Sequence, residues 1–292
     1  MISDSGSARD SAIGMLEPEE GAPRNLAETL RELRRASGLS GERLAGRCAM
    51  SQAKISRIET GKVLPTVIDV EQIVRALGVP LPVADELLAL ARAANVDYAS
   101  WRAYARLGIW RKQAEIAKLS DSATVVRQFL PAIPSGLLQT AAFARSALQP
   151  KVSSEPVYDV ERAVRARLDS RQVLEDPRRR FEFVLTEQAV RWQLAEPSVM
   201  REQVEHLATM AARPNLDIAI LPSSARMPET PLNLFVVYDE RLVTAELFSG
   251  EVVLRDPRDI AYHLELFELF QAHALRNGDE IRFLCRVAAE LM

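Results

Sequence analysis

The segment SQAKISRIETGK, residues 51–62, decides the fold expected for this chain. Ser51 is a residue type that accepts hydrogen bonds at the start of a helix, and Gly61 is the type that ends one. Ile55 and Ile58 lie three residues apart and therefore share one helix face. The polar or small residues of the other face, with one residue beyond the helix, are Gln52, Ala53, Lys54, Ser56, Arg57, Thr60 and Lys62.

Four more short helices are predicted around this one. The first begins near Leu26, where leucines recur at helical spacing, and the second follows Ser40, another capping residue. The fourth opens at Thr66 and the fifth at Pro82, each with apolar residues along one face. Because the connections are only a few residues long, residues 24–95 are predicted to form an all-α five-helix bundle.

Charge is distributed unevenly along the 292 residues, although 37 Lys plus Arg against 40 Asp plus Glu give a net charge of only -3. Residues 1–23 carry a net -4 and are expected to form a flexible acidic tail. Residues 24–62 contain nine basic and four acidic residues, a net +5, and the rest of the chain is again net negative. The positive excess coincides with the helical bundle and favours a nucleic-acid partner for it.

Helix, tight turn and helix over residues 40–59 form an arrangement that can place a short helix in the major groove of DNA. Gln suits adenine, Arg and Lys suit guanine or phosphate, and Ala, Ser and Thr allow close approach to a thymine methyl. Lys62 follows the helix and is expected to bind a phosphate. The alternative, a merely solvated basic face, does not account for the turn and the local charge excess together.

The same segment, preceded by Leu44-Ala45 and followed by Pro65, resembles the phage-repressor (XRE) type of helix-turn-helix. The resemblance implies that the third helix is the recognition helix. Glu59 is more often structural than a DNA contact in that family. The family's second helix often begins with a Gln that holds a phosphate, and this chain has Gly41 there. The residues that the resemblance places nearest the bases are Gln52, Ala53, Lys54, Ser56 and Arg57.

Beyond the bundle, residues 96–120 are predicted to be a helical connector and residues 121–292 an α/β (α+β) domain. Strand-like alternation recurs between helical patterns in this second domain, so the whole chain is predicted to be multidomain. The connector aromatics Trp101, Tyr104 and Trp110 are expected in a core, with a ligand pocket or dimer interface as the alternatives. The strand-like segments are 181–185, 217–221, 232–238, 242–248 and 251–254.

A second resemblance covers the chain from about Trp110 to its end. A series of motifs in this region, taken in chain order, resembles the C-terminal domain of the actinobacterial antitoxin-like regulators of the Scr and WhiJ-like group. That resemblance implies a regulator whose second domain binds a partner or effector, the typical partner being a small acidic protein. The motifs that carry it are Ile133-Pro134-Ser135-Gly136-Leu137-Leu138-Gln139-Thr140, Phe143-Ala144-Arg145, Arg165, Arg167, Arg171, Glu187-Gln188-Ala189, Gln203 through Leu207, and Pro214-Asn215-Leu216-Asp217-Ile218.

Motifs of enzyme chemistry are missing from the sequence, which has no Gly-x-Ser-x-Gly, phosphate loop, Gly-x-Gly-x-x-Gly or His-Glu-x-x-His. The three histidines, His206, His263 and His273, are expected to be structural, and Asp239 to Arg241 are expected to form a hairpin turn. The chain is therefore predicted not to be an enzyme, and neither a cofactor nor a metal site is expected.

Four arginines fall on one predicted helix: Arg162, Arg165, Arg167 and Arg171. They could bind an anion or an acidic partner. A solvated helix with pairs such as Glu161 and Arg165 explains them nearly as well.

The function expected from the sequence is that of a DNA-binding transcriptional regulator, controlled through its second domain by a protein partner or an unidentified small molecule. A homodimer is expected, because one recognition helix contacts too few bases to select a site. The alternative is an antitoxin-like interaction protein that binds a small acidic partner and contacts DNA only to regulate itself. Without an apolar run of membrane-spanning length or a signal peptide, and with only two cysteines, a cytoplasmic location is expected.

Overall fold

The fold is given by a computed structural model that describes residues 26–101, 110–152 and 158–291. The predicted acidic tail, Tyr104 and the side chain of Trp110 lie outside the described residues. Contacts between Cα atoms divide the chain into two units, one ending at Ala91 and the other beginning at Arg92.

The first unit is helical, as predicted. Ser40 and Ser51 cap the second and third helices by accepting from the backbone amides of Arg43 and Lys54, and Gly78 ends the fourth helix in the left-handed conformation. The fifth helix runs three residues into the second unit. The helices are α1 (Leu26–Ala36), α2 (Gly41–Arg47), α3 (Gln52–Glu59), α4 (Val67–Leu77) and α5 (Leu81–Ala94).

The core of the first unit is aliphatic and draws on all five helices. Leu30 of α1, Leu44 of α2 and Val70 of α4 are buried against Ile55 and Ile58 of α3. Burying an aliphatic side chain of this size stabilises a fold by about 1.5–3 kcal/mol. The two isoleucines therefore fix which face of α3 turns inward and which face is left to solvent.

The second unit is built on one seven-stranded sheet with the order β1-β7-β6-β5-β2-β3-β4. Strands β2, β3 and β4 pair in parallel, and the other neighbours pair antiparallel. The strands are β1 (Val96–Ser100), β2 (Val125–Leu130), β3 (Arg180–Thr186), β4 (Leu216–Leu221), β5 (Phe235–Tyr238), β6 (Leu242–Leu247) and β7 (Gly250–Leu254).

Helices accompany the strands, so the predicted α/β class is confirmed. Short 3-10 helices cover Gly136–Leu138 and Arg171–Glu175. The α-helices are α6 (Trp110–Ser122), α7 (Ala141–Leu148), α8 (Val160–Ser170), α9 (Glu187–Arg191), α10 (Pro197–Met210), α11 (Pro257–Ala272) and α12 (Asp279–Glu290).

Three buried apolar clusters lie in the second unit, and two of them pack against the sheet. In the larger one, Leu207 of α10 and Leu284 of α12 are buried with Phe183 of β3. In the other, Phe270 of α11 stacks on Phe129 of β2 with their ring centroids 4.1 Å apart. A sheet with a buried apolar layer on each face is expected for parallel central strands.

The helical connector predicted over residues 96–120 is wrong at its start. Val96–Ser100 is a strand that pairs antiparallel with Gly250–Leu254. The helix that follows at Trp110–Ser122 belongs to the same unit, and its buried Lys112 makes an ion pair with the buried Glu251 of β7. The second unit therefore begins before residue 121. Pairing with a strand so distant in the chain leaves no local pattern in a five-residue segment, which is why the sequence did not reveal it.

None of the helices in the described ranges 26–101, 110–152 and 158–291 is both long enough and apolar enough to cross a membrane.

Candidate nucleic-acid interface

Helix α3 presents one apolar face and one polar face, as its sequence predicts. Ile55 and Ile58 are 1% and 0% exposed, respectively. The opposite face is open to solvent along the length of the helix. Its exposed residues are Gln52, Ala53, Ser56, Arg57 and Thr60, and Lys62 just beyond the helix is exposed as well.

Two side chains of this face also bond to their own helix. Arg57 Nε donates to the carbonyl of Ala53 at 3.3 Å, which uses one of the five donors of its guanidinium. Thr60 Oγ1 donates to the carbonyl of Ser56 at 2.8 Å. The Thr60 hydroxyl proton is thereby committed, so this residue can offer DNA only its methyl group and an oxygen lone pair. Arg57 keeps enough donors for a bidentate contact with guanine.

Lys54 is placed differently from the other predicted contact residues. Its Nζ lies 2.6 Å from Oδ1 of Asp69, whose side chain is only 7% exposed. The Asp69 carboxylate also accepts from the backbone amide of Thr66, and the backbone amide of Asp69 donates to the Thr66 hydroxyl oxygen, which completes a capping box. Lys54 therefore links α3 to the first turn of α4. In the free protein its ammonium group is directed to a carboxylate and not outward.

Arg34 of α1 and Glu59 at the end of α3 form a two-pronged ion pair. The Nε–Oε1 and Nη2–Oε2 distances are 2.6 and 2.8 Å, and the side chains are 15% and 9% exposed. Nη1 of Arg34 also donates to the carbonyl of Leu39 at 2.9 Å. The hydrogen bond to Glu59 raises the pKa of Arg34 above its usual value. The pair holds the C-terminal end of α3 against α1 and the α1–α2 turn.

An open concavity of about 230 Å³ adjoins the polar face of α3. Gln52 and Thr60 line it together with Arg31 of α1 and Gly41 of α2. Arg31 is exposed and was not identified from the sequence. Its position three residues before Arg34 on α1 was the available signal, because residues at this spacing share a helix side. Its guanidinium is suited to a DNA phosphate beside the recognition helix.

The four arginines predicted on one helix divide into two pairs, and the last of them, Arg171, lies in the 3-10 helix that follows α8. Nη1 of Arg167 donates to Oε1 of Gln139 at 2.8 Å, and burial lowers the pKa of this guanidinium. Nη1 of Arg171 donates to the Gln139 carbonyl at 3.3 Å. These two brace the loop that contains Gln139, whereas Arg162 and Arg165 are exposed. The anion-binding hypothesis is therefore restricted to the exposed pair.

The three histidines lie apart and have separate contacts. His206 Nε2 is 3.1 Å from Nη2 of Arg171, and burial, followed by the charge of Arg171, lowers the pKa of His206. Nδ1 of His263 and Nδ1 of His273 each face the carbonyl four residues earlier on α11, at 2.7 and 2.9 Å. Among the described residues, no group of three or more His, Cys, Asp or Glu side chains could hold a metal ion.

The predicted hairpin turn at Asp239 to Arg241 joins β5 to β6. Oδ1 of Asp239 accepts from the backbone amides of Thr124 and Val125, both at 2.9 Å. This carboxylate thus fastens the turn to the start of β2, which is a structural task.

Residues 25–90 match the model of a helix-turn-helix domain. The chain therefore carries a DNA-binding module of this type, and the match supports DNA binding and transcriptional regulation. None of the curated proteins matches the chain.

Three solved structures share low similarity with the chain. Nuc, a phospholipase D family member from Salmonella typhimurium, is 9% identical with a TM-score of 0.37, and the match covers 62% of this chain and 97% of that one. NucT from Helicobacter pylori is 8% identical with a TM-score of 0.38, covering 62% and 98%. TrmBL2, an archaeal chromatin protein, is 14% identical with a TM-score of 0.32, covering 71% and 66%.

The larger family match lies in the second unit. Residues 113–286, more than half of the chain, match the model of a domain of unknown function, DUF5753. The chain therefore belongs to the DUF5753 family and carries a helix-turn-helix domain ahead of that region.

Proposed function

We propose that this protein is a sequence-specific DNA-binding transcriptional regulator that contacts the major groove with α3. The observation that carries the proposal is the exposed polar face of α3, held in place from behind by Ile55, Ile58 and the Arg34–Glu59 ion pair. A recognition helix needs both an outward face with hydrogen-bonding side chains and a rigid mounting. The resemblance to phage-repressor helix-turn-helix domains supports the same assignment.

The contact residues divide by chemistry. Gln52 and Arg57 are proposed to bond to base edges, where Gln suits adenine and Arg suits guanine. Ala53 and Ser56 are small enough to let the helix approach the bases, and Thr60 offers a methyl group. Lys62 and Arg31 are proposed to hold phosphates on either side. Lys54 acts first on the fold through Asp69.

The second unit is proposed to receive the signal that controls DNA binding, from a protein partner or a small molecule. The protein is proposed to act as a homodimer, because one recognition helix covers too few base pairs to select a genomic site. We propose no catalytic role for it, since the described histidines bond separately to backbone carbonyls or to Arg171. A DNA target also favours the cytoplasmic location.

Selection of bound duplexes from a random-sequence pool tests the proposal. The full chain should enrich one motif, and the Gln52→Ala/Arg57→Ala variant should lose that enrichment while the Arg165→Ala control keeps it. Arg165 is an exposed arginine of the second unit, so it controls for loss of one positive charge. Enrichment of the same motif by the α3 double variant would contradict the assignment of the recognition helix.

The exposed pair Arg162 and Arg165 favours a second candidate, an antitoxin-like protein that binds a small acidic partner and contacts DNA only at its own promoter. The resemblance to the Scr and WhiJ-like group supports it. Mapping of bound sites on the chromosome separates the two functions. A regulator should occupy promoters of several genes, whereas the antitoxin-like function predicts occupancy of its own promoter alone.

A further inference from the structure

Strand β1 lies at one end of the sheet, and its outer edge has no neighbouring strand among the described residues. Its register with β7 shows which backbone groups remain on that edge. The amide of Arg255 donates to the carbonyl of Asn95, and the amide of Trp101 donates to the carbonyl of Ser249. In an antiparallel pair, hydrogen-bonded positions alternate along the strand. The backbone amides and carbonyls of the odd-numbered residues of β1 therefore point towards β7.

The even-numbered residues Val96, Tyr98 and Ser100 consequently direct their amides and carbonyls away from the sheet. Exposed strand edges in monomeric proteins are usually guarded by lysine, proline, a bulge or an inward-pointing charge. The sequence of β1, VDYAS, has neither lysine nor proline. Its one charge, Asp97, is paired within the chain to Nη1 of Arg255 at 2.5 Å. Strand β1 thus has neither of the residue types, nor a free charge, that usually prevent another strand from pairing with an exposed edge.

Exposed apolar side chains accompany this edge. Tyr98 is 55% exposed, with its hydroxyl donating to the carbonyl of Ser249 at 2.9 Å. Its ring lies over Gly250, where a Cβ would come within 2.9 Å of it. Leu247, the last residue of β6, and Phe248, in the β6–β7 turn, are exposed as well. Contiguous exposed apolar residues beside an unpaired strand are typical of an association surface.

We propose that β1 pairs with β1 of a second copy of this chain around a two-fold axis at Tyr98. Only the even-numbered residues can bond across the edge, so Tyr98 lies opposite Tyr98 of the second copy and Val96 lies opposite Ser100. This register forms about six backbone hydrogen bonds, two for each directly bonded pair. It joins the two sheets into one.

The register centred on Tyr98 is the symmetric one that overlaps all five residues of both strands, and the charges are compatible with it. Asp97 lies opposite Ala99 of the second copy, so no carboxylate directly faces another. The backbone of Tyr98 lies directly opposite that of its counterpart, so a charge introduced at this position would face itself across the axis. A two-fold interface of this kind is self-complementary, as closed homodimers require.

The inference deepens the proposed function, on which it rests for its biological purpose. The first residues of the two β1 strands would lie about 14 Å apart, four residues of strand rise along the ladder. The DNA-binding unit ends at Ala91, five residues before Val96. Both DNA-binding units would thus be attached close to the two-fold axis, which suits an operator with two related half-sites.

A charge exchange at position 98 tests the interface on the full chain. Wild-type protein is expected to sediment as a dimer. Tyr98→Lys and Tyr98→Glu should each be monomeric at the same concentration, because residue 98 meets itself across the axis and like charges repel. An equimolar mixture of the two should regain a dimer containing one copy of each. The control Leu232→Lys, a change at an exposed apolar residue before β5, should remain dimeric.

A backbone variant gives an independent test. Ser100→Pro removes an outward amide without touching a bond to β7, and proline is tolerated at such edge positions. It should raise the dimer dissociation constant at least tenfold relative to Ser100→Ala, with far-UV circular dichroism unchanged. A monomeric wild type, dimers of either charge variant alone, no mixed dimer, or equal dissociation constants for the two Ser100 variants would each overturn the proposal.

DNA binding is measured in parallel to keep the two proposals separate, using the duplex enriched from the random pool. If the charge variants behave as expected but no duplex is enriched, the β1 interface is supported and the proposed DNA-binding function is contradicted. If a duplex is bound while the charge variants stay dimeric, the proposed DNA-binding function is supported and the β1 interface is contradicted.

Discussion

Arg34 and Glu59 join the first and third helices through two hydrogen bonds of 2.6 and 2.8 Å, at the wall of the open concavity beside α3. Because Glu59 is the last residue of α3, this pair holds the C-terminal end of that helix against α1. The isoleucines hold the helix inward, and the ion pair fixes its end. The orientation of the exposed polar face of α3 therefore depends on contacts that also stabilise the first unit.

Glu59→Gln should destabilise the first unit by about 1–2 kcal/mol, because loss of the carboxylate leaves Arg34 without its charged partner at a partly solvated site. Amide hydrogen exchange of residues 26–59 measures the effect. The double variant Arg34→Met/Glu59→Leu should lose less stability than Glu59→Gln, since well-packed apolar residues often replace a buried ion pair with little loss of stability. Unchanged exchange in Glu59→Gln would show that the pair does not hold α3.

Lys54→Ala and Lys62→Ala should differ in their effect on DNA binding, although each removes one positive charge near α3. Lys62 is exposed, so its loss should reduce affinity for all sequences and lower the slope of log K against log salt by about 1. Lys54 is paired to Asp69, so its loss should leave that slope nearly unchanged. Fluorescence anisotropy titrations at several salt concentrations distinguish them, and equal slope changes would be contrary to the assigned roles.

Arg31→Ala should weaken binding to every duplex by a similar factor, because a phosphate contact carries no base information. The ratio of affinities for the enriched and a scrambled duplex should stay within about twofold, with the salt slope lowered by about 1. Arg165→Ala serves as the charge-matched control. A change in that ratio for Arg31→Ala would indicate that this residue contacts bases.

Acid should destabilise the second unit through His206. Its pKa is lowered in the folded state, so below the unfolded value, about 6.5, the unfolded chain binds more protons. Stability from the neutral ring is therefore fully present above that pH and is lost as the pH falls. His206→Gln keeps an acceptor for Arg171 without the titration.

Thermal unfolding of the second unit, which contains all three tryptophans, is followed by tryptophan fluorescence at pH 7.5 and 5.5 to measure this effect. The fall in Tm between the two pH values should be smaller in His206→Gln than in the wild type. His273→Gln, at an exposed position, should behave like the wild type. An identical fall in His206→Gln and wild type would assign the acid sensitivity elsewhere.

Local signals account for what the sequence predicts well. Caps at Ser40, Ser51 and Thr66 and the spacing of Ile55 and Ile58 are written in adjacent residues, so the five helices and their faces follow directly. The outward face of α3 follows from the same spacing. The DNA contacts expected for the residues of that face remain predictions.

Long-range pairing accounts for what was missed. Strand β1 is defined by a partner at Gly250–Leu254, and β2 is enclosed between β3 and β5. Neither relation leaves a mark within a short segment. The ion pair of Lys54 with Asp69 likewise depends on how α3 packs against α4. Ion pairs of this kind, between residues of different helices, can be identified only from the tertiary structure.

The anisotropy titration of Arg57→Ala tests the central claim most directly. On the enriched duplex the variant should bind about 1–3 kcal/mol more weakly than the wild type, and on a scrambled duplex it should lose much less. Arg165→Ala should match the wild type on both. Equal affinity of Arg57→Ala and wild type for the enriched duplex would contradict the assignment of α3 as the helix that contacts the bases.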